Sequence, residues 1–159
     1  MATIERFEDL KTWQLAREVC KDVWHLIKNT RLGNDYELVR QISRSSGSVM
    51  DNIAEGFERN GNREFIQFLS ISKGSCGEVR SQLYRTFDRG YITQEQFNVI
   101  AAKVEQLNKQ LGSFIVYLNK SVFKGSKFSG SVQEPDPYYR EPETLNPEPE
   151  TPNPNLQTS

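Results

Sequence analysis

The first 130 residues contain no proline; all seven (Pro135, Pro137, Pro142, Pro147, Pro149, Pro152, Pro154) lie beyond them. A proline inside a helix costs about 3 kcal/mol, so this absence leaves room for long helices. Histidine is nearly missing too. His25 stands alone, which excludes a histidine cluster for a metal and the helix-borne Glu-x-x-His pairs of di-iron bundles. It sits mid-helix beside Trp24 and reads as a surface residue. Cys20 and Cys76 are the only cysteines. Both fall on helical stretches and are expected to be reduced and structural. No apolar run approaches the roughly 20 residues of a membrane span, and Met1 to Asp9 has no apolar run. We therefore expect no signal peptide, no membrane partner and a cytoplasmic location. Strand patterning is absent, and with it any strand-borne, Gly-rich phosphate loop.

Charge of one sign is also scarce, since the whole chain carries -1. That figure hides a split. Residues 131–159 hold one arginine against six carboxylates, a net -5, and the preceding residues hold 19 Lys and Arg against 15 Asp and Glu, a net +4. A mildly basic body permits an anionic partner such as nucleic acid but does not require one.

What is present is helical periodicity. The first helix is expected from Ile4 to Thr30, on Phe7, Leu10, Trp13 or Gln14, Ala16 or Arg17, Cys20, Val23 or Trp24, and Ile27. Gly33 stops it, and Asn34-x-x-Glu37 resembles a capping box for the next helix. The second helix is expected from Asp35 to Arg59 on Leu38, Ile42, Ser45 or Ser46, Val49, Ile53 and Phe57. Its serines and Gly47 are poor helix formers, yet the apolar spacing continues on both sides of them. Gly61 suits the left-handed position after it. The third is expected from Asn62 to Arg89, with Phe65, Phe68, Leu69, Ile71, Val79, Leu83 and Phe87, and again a small-residue middle. Thr93-x-x-Gln96 caps a fourth helix reaching about Val122, on a heptad stripe of Phe97, Ile100, Val104, Leu107, Leu111, Phe114 and Leu118.

Four long helices with short connections predict an all-α, antiparallel up-and-down four-helix bundle over residues 1–125. The small patches on helices two and three, Gly74 and Ser75 among them, permit close backbone approach within the bundle or between protomers. Residues 126–159 are expected to form a flexible, acidic, Pro-rich tail. It contains a degenerate repeat, Pro142-Glu-Thr-Leu-Asn-Pro-Glu148 and Pro149-Glu-Thr-Pro-Asn-Pro-Asn155, matching at five of seven positions. The tail reads as a dispensable extension or a partner-binding arm.

Several segments together carry a resemblance. Gln41-Ile42-x-Arg44, Ser48 and Asn52-Ile53-Ala54-Glu55-Gly56 resemble the signature of the four-helix bundle proteins encoded within 23S ribosomal RNA intervening sequences. Phe7-Glu8-x-Leu10-x-x-Trp13-Gln14-x-Ala16, Phe65-x-x-Phe68-Leu69-x-Ile71-Ser72-x-Gly74-Ser75-x-x-Glu78 and Gly90-Tyr91 fit the same family. The likeness covers about residues 5–120; the tail has no counterpart. It departs at Ser72, where alanine is usual, and at Ser45 or Ser46. The resemblance implies a homopentamer of antiparallel bundles. It also implies kinship with the accessory proteins of diversity-generating retroelements, which bind nucleic acid and a reverse transcriptase.

For catalysis the residues offer little. Ser70-x-x-Lys73 matches a serine–lysine nucleophile pattern, but a small bundle lacks the rest of such a site. We expect no enzyme and no cofactor. Asn52 and Glu55 share a face beside the core stripe. They suit either a binding site or a structural role, with Asn52 bonding a neighbouring helix and Glu55 pairing with an arginine.

The arginines carry the clearest binding signal. Arg40 and Arg44 are one turn apart, as are Arg85 and Arg89; Arg59 and Arg63 flank the connection between helices two and three, and Lys73 and Arg80 add charge. Arginine matches phosphate geometry, and phosphate contacts supply most non-specific nucleic-acid affinity. Tyr36, Tyr84 and Tyr91 are aromatic candidates for base stacking where exposed. Two expectations stay open: an oligomeric RNA- or DNA-binding accessory protein, or a protein-interaction scaffold whose arginines merely decorate solvated faces.

Overall fold

The structure is a computed structural model that describes residues 3–123 and 132–140. Four α-helices are found among them: α1 (Lys11–Asn29), α2 (Tyr36–Glu58), α3 (Asn62–Asp88) and α4 (Gln94–Phe123). A 3₁₀ turn over Phe7–Asp9 precedes α1, and another over Arg31–Asn34 joins α1 to α2. α1 packs on α2 and α4, and α3 packs on α2 and α4. The chain therefore runs up and down around one core as an antiparallel bundle.

The helix ends follow local chemistry. Thr93 and Gln96 form the reciprocal capping box expected of them: Gln96 N–H donates to Thr93 Oγ1 at 3.1 Å and Thr93 N–H to Gln96 Oε1 at 2.9 Å. At α2 the expectation is corrected by one residue. Asp35, not Asn34, receives the first-turn bond, from Leu38 N–H at 3.2 Å. That N–H bond, reinforced by Arg89 and Tyr91, holds the Asp35 carboxyl below its ordinary pKa despite partial burial. After α2, Asn60 rather than Gly61 takes the left-handed conformation, at φ 56°. Gly90 takes it after α3, at φ 68°.

The core is aliphatic and aromatic. Leu10, Ile53, Leu69, Leu83, Leu107, Leu111 and Phe114 lose all exposure, and each such burial contributes about 1.5–3 kcal/mol. Phe65 meets Phe57 and Phe114 edge-on. In α1 the buried stripe is Leu10, Trp13, Ala16, Val19, Val23 and Leu26. Gln14, Arg17 and Trp24, admitted as alternatives at three steps, face outward. Their apolar neighbours take the core, and Trp24 instead lies under Lys28 Nζ at 5.3 Å. Ile71 of α3 is likewise outside, 51% exposed, while Ser72 is fully buried in the seam.

The largest departure concerns the segment after α4. Residues 132–140, expected to belong to a flexible tail, pack on the bundle. Ile4 N–H donates to Val132 O at 2.7 Å in an isolated bridge, and Val132 and Pro135 are buried. Glu134 accepts from Lys11 and Thr12 N–H at 2.6 and 2.8 Å, so its carboxylate caps α1. Ser113 Oγ donates to Pro137 O at 2.9 Å, and Tyr139 meets Tyr117 edge-on. The folded unit therefore extends past the expected boundary at 125. The expected flexibility of residues 126–131 and 141–159, and the repeat at 142–155, lie outside the described residues.

Candidate nucleic-acid interface

α2 and α3 meet along a seam of short polar side chains. Ser45 Oγ reaches Gln82 Oε1 across it at 2.5 Å. Ser48 and Ser75 hydroxyls meet at 2.9 Å. Ser72 Oγ donates to Val49 O at 2.9 Å. Buried hydroxyls left unpaired would each cost about 1–3 kcal/mol, so the seam is held in register by these partners. Serine reaches so short a distance only where the helices approach closely. Gly56 secures that approach: a Cβ there would lie 2.6 Å from Phe68 Cβ and 2.8 Å from the Phe65 ring.

Three residues of the Asn-Ile-Ala-Glu-Gly block are thereby assigned to the core and the seam. Ile53 is core, Ala54 packs against the core and Gly56 lies against α3. Asn52 does not bond a neighbouring helix as expected. Its amide donates to Ser48 O at 2.8 Å and Ser48 Oγ at 3.0 Å within α2, and it is Ser48 that reaches α3, at Ser75. Glu55 pairs with Arg59 at 2.7 Å, as expected of it. Ser75 belongs to the seam. Gly74 does not: a Cβ added there meets nothing within 4 Å, and the same holds for Gly47 and Gly77. The close approach expected of Gly74 is thus not made within this chain.

The eight candidate cations do not form one patch. On the outer face of α2 and α3, Arg40 and Arg44 are exposed one turn apart, and Arg85 donates to Gln41 across the seam. A cavity of 510 Å³ opens there, lined by Gln41, Arg44, Ser48, Glu78 and Gln82 among others. Arg89, at the end of this face, is engaged by Asp35. Arg59 and Arg63 lie at the α2–α3 connection, and Arg59 is held by Glu55 and sits over Phe68. Lys73 and Arg80 turn toward α4. Lys73 would touch a side chain at Gly112, and Arg80 lies near enough to Glu105 to lower that residue's pKa, after the larger effect of Lys109. Arg40, Arg44 and Arg85 have no carboxylate within ion-pair distance among the described residues.

Of the tyrosines, Tyr36 is exposed, Tyr84 stacks on Phe97 at 4.8 Å, and Tyr91 donates to Asp35 at 3.1 Å. Sequence reading took Gln41 only as part of the family signature and missed Gln82; both tie the basic face to the seam. The signal for Gln41 was its place one turn before the core serine Ser45, and Gln82 had no such neighbour. Among the described residues no group of three or more His, Cys, Asp or Glu is placed to hold a metal. Cys76 is free, and burial pushes its thiol up to about 12. Cys20 is free as well, raised chiefly by burial, with its Sγ donating to Ser46 O at 3.1 Å. Neither is a ready nucleophile at neutral pH. No helix among the described residues is long and apolar enough to cross a membrane.

The fold and this face define a class, a four-helix bundle with a serine-filled α2–α3 seam and a basic outer surface. The family of the 23S rRNA-intervening sequence protein matches residues 8–113, and the chain belongs to that family. No curated protein matches it. The matched span ends within α4, so the docked segment 132–140 lies outside it.

Proposed function

We propose that this protein is a non-enzymatic, cytoplasmic, oligomeric bundle that binds nucleic acid, structured RNA or an RNA–protein complex, through the outer face of α2 and α3. The observation that carries this reading is the set Arg40, Arg44 and Arg85, which has no carboxylate partner among the described residues and stands beside a polar cavity. Guanidinium groups with no carboxylate partner on a rigid helical face are suited to phosphate contacts, Arg85 while holding only the neutral amide of Gln41. Arg59 and Arg89, already paired with carboxylates, contribute less. Assembly into a homopentamer, the state implied by the family resemblance, repeats the face and adds avidity. A reverse transcriptase is a candidate protein partner on the same ground.

The test is a salt titration of duplex RNA and DNA binding with the full chain, after light scattering has fixed the assembly mass. Each phosphate contact contributes about -0.9 to the slope of log affinity against log salt for duplex DNA. Changing Arg40, Arg44 and Arg85 together to Glu is expected to flatten the slope by about two to three and to weaken binding at least tenfold. Unchanged affinity and slope would remove this face from the function. A protein-interaction scaffold is the second reading. It is favoured by the open glycines Gly47, Gly74 and Gly77 and by exposed Ile71 nearby, which offer another protein close backbone approach.

A further inference from the structure

A second basic site lies on the opposite side of α3, built partly by the segment that was expected to be tail. A groove of 700 Å³ runs between α3, α4 and residues 137–140, and its lining includes Lys73, Lys109, Arg140, Asn108, Asn119 and Tyr138. Among the described residues the lining holds three cations and no carboxylate. Lys109 does pair at 3.1 Å with Glu105, which lines the adjoining cavity rather than the groove, but an exposed pair one turn apart is held weakly, so a phosphate can displace it. The volume lies within the range of about 300–1,000 Å³ typical of ligand clefts.

Tyr138 forms the wall between this groove and a second cavity of 270 Å³, and it is 80% exposed. Its backbone is fixed, since Tyr138 N–H donates to Asp136 Oδ1 at 2.9 Å and Tyr139 N–H to Asp136 O at 2.9 Å. An exposed ring on a fixed turn is a stacking platform. On the far side of that ring, Gln110 lines the second cavity. Gln110 is only 8% exposed, and its Oε1 has no hydrogen-bond partner among the described residues. A buried acceptor without a donor is costly, and a turn of the Gln110 side chain into the cavity it lines would offer that acceptor to the exocyclic amine or ring N–H of a nucleobase.

We propose that this groove binds a single-stranded segment of nucleic acid, phosphates on Lys73, Lys109 and Arg140 and a base stacked on Tyr138 with its edge toward Gln110. The inference rests on the nucleic-acid reading above and adds to it a site and a strand state. Stacking needs an unpaired base, so duplex should not enter. Exposed tyrosine and clustered cations lie in one groove with the lone acceptor in the adjoining cavity, whereas the α2–α3 face has the exposed ring of Tyr36 one turn before Arg40 but no unpartnered buried acceptor among the described residues lining its cavity.

The experiment compares the full chain and two variants in fluorescence anisotropy with a labelled oligouridylate of about ten nucleotides, a length suited to one stacking groove, and with a duplex of the same length. Tyr138→Ala is expected to weaken single-strand binding about tenfold, the size of one lost base–aromatic stack, and to leave duplex binding unchanged. The double variant Lys73→Gln, Arg140→Gln is expected to flatten the single-strand salt slope by about 1.4, two contacts at about 0.7 each. Ultraviolet cross-linking should mark the peptide holding Tyr138. If both variants bind the single strand as the parent does, while the Arg40, Arg44 and Arg85 variant loses duplex binding, the groove is excluded and the proposed function stands. If the parent binds neither strand form, both fall.

Discussion

The α2–α3 seam and the α1–α4 side of the bundle solve the same packing problem in opposite ways. The first is narrow and polar. Ser45, Ser72, Ser75 and Gln82 are buried in it and bond across it, and Gly56 admits the phenylalanines of α3 at distances that no Cβ tolerates. The second is filled by larger aliphatic residues such as Val19, Val23, Ile100 and Val104. Lys103 bridges its rim to Asp22 at 2.7 Å and Glu18 at 3.6 Å. Its end is closed from outside by residues 132–140. A seam built from short side chains derives its specificity from distance, so added volume should harm it most. A side closed by a strap derives part of its stability from the Glu134 side-chain carboxylate, so charge removal should harm it most.

The largest effect is expected at Gly56. Gly56→Ala places a methyl 2.6 Å from Phe68 Cβ, an atom close to the backbone that does not swing away. Overpacking costs about 1–3 kcal/mol, while alanine returns up to about 1 kcal/mol of helix propensity. A net loss of up to about 2 kcal/mol is expected from urea unfolding, with the midpoint lowered and the slope unchanged. Unaltered stability would mean that the seam relaxes freely and that the contrast between the two sides is not steric.

A smaller loss, about 1 kcal/mol, is expected for Glu134→Ala, the size of one helix cap with its charge. The first turn of α1 should then exchange its amide protons faster at Lys11 and Thr12, since both N–H groups donate to Glu134. Gln at the same position keeps an acceptor and should recover part of the loss. If exchange at α1 does not change, residues 132–140 do not hold that end of the bundle in solution.

These two sites differ in how far the sequence disclosed them. The four helices were legible because their apolar spacing is long and regular, and α4 carries a heptad stripe without interruption. The α2–α3 seam was legible as a pair of small-residue patches but not as a hydrogen-bond ladder. Serine spacing shows a narrow face, and only the relative rotation of two helices decides that Ser48 meets Ser75 and that Ile71 points away. The segment 132–140 was not legible. Proline, acid and low hydropathy describe chains that bury little surface by themselves. Here Val132 and the Glu134 carboxylate find partners more than a hundred residues earlier, a pairing that local composition does not encode. The cations were legible by type and not by grouping. Four-residue spacing places Arg40 with Arg44, but a carboxylate on another helix claims Arg89, and the turn of α3 sends Lys73 and Arg80 to the α4 side.

The smallest effect is expected at Gly74, and its sign decides the most. The glycine lies mid-helix on α3 with open space where a Cβ would stand. In a lone bundle Gly74→Ala can only relieve the conformational cost of glycine, so stability should rise by about 0.5–1 kcal/mol. Gly56 and Gly74 belong to the same helix pair, one turned into the seam and the other away from it. If Gly74→Ala lowers the melting temperature and reduces the mass seen by light scattering, the open side of α3 is occupied by another copy of the chain. The glycines there would then serve the purpose Gly56 serves within. If it raises stability and leaves the mass unchanged, the assembly uses another face, and the outer surface of α2 and α3 stays accessible to phosphate in every protomer.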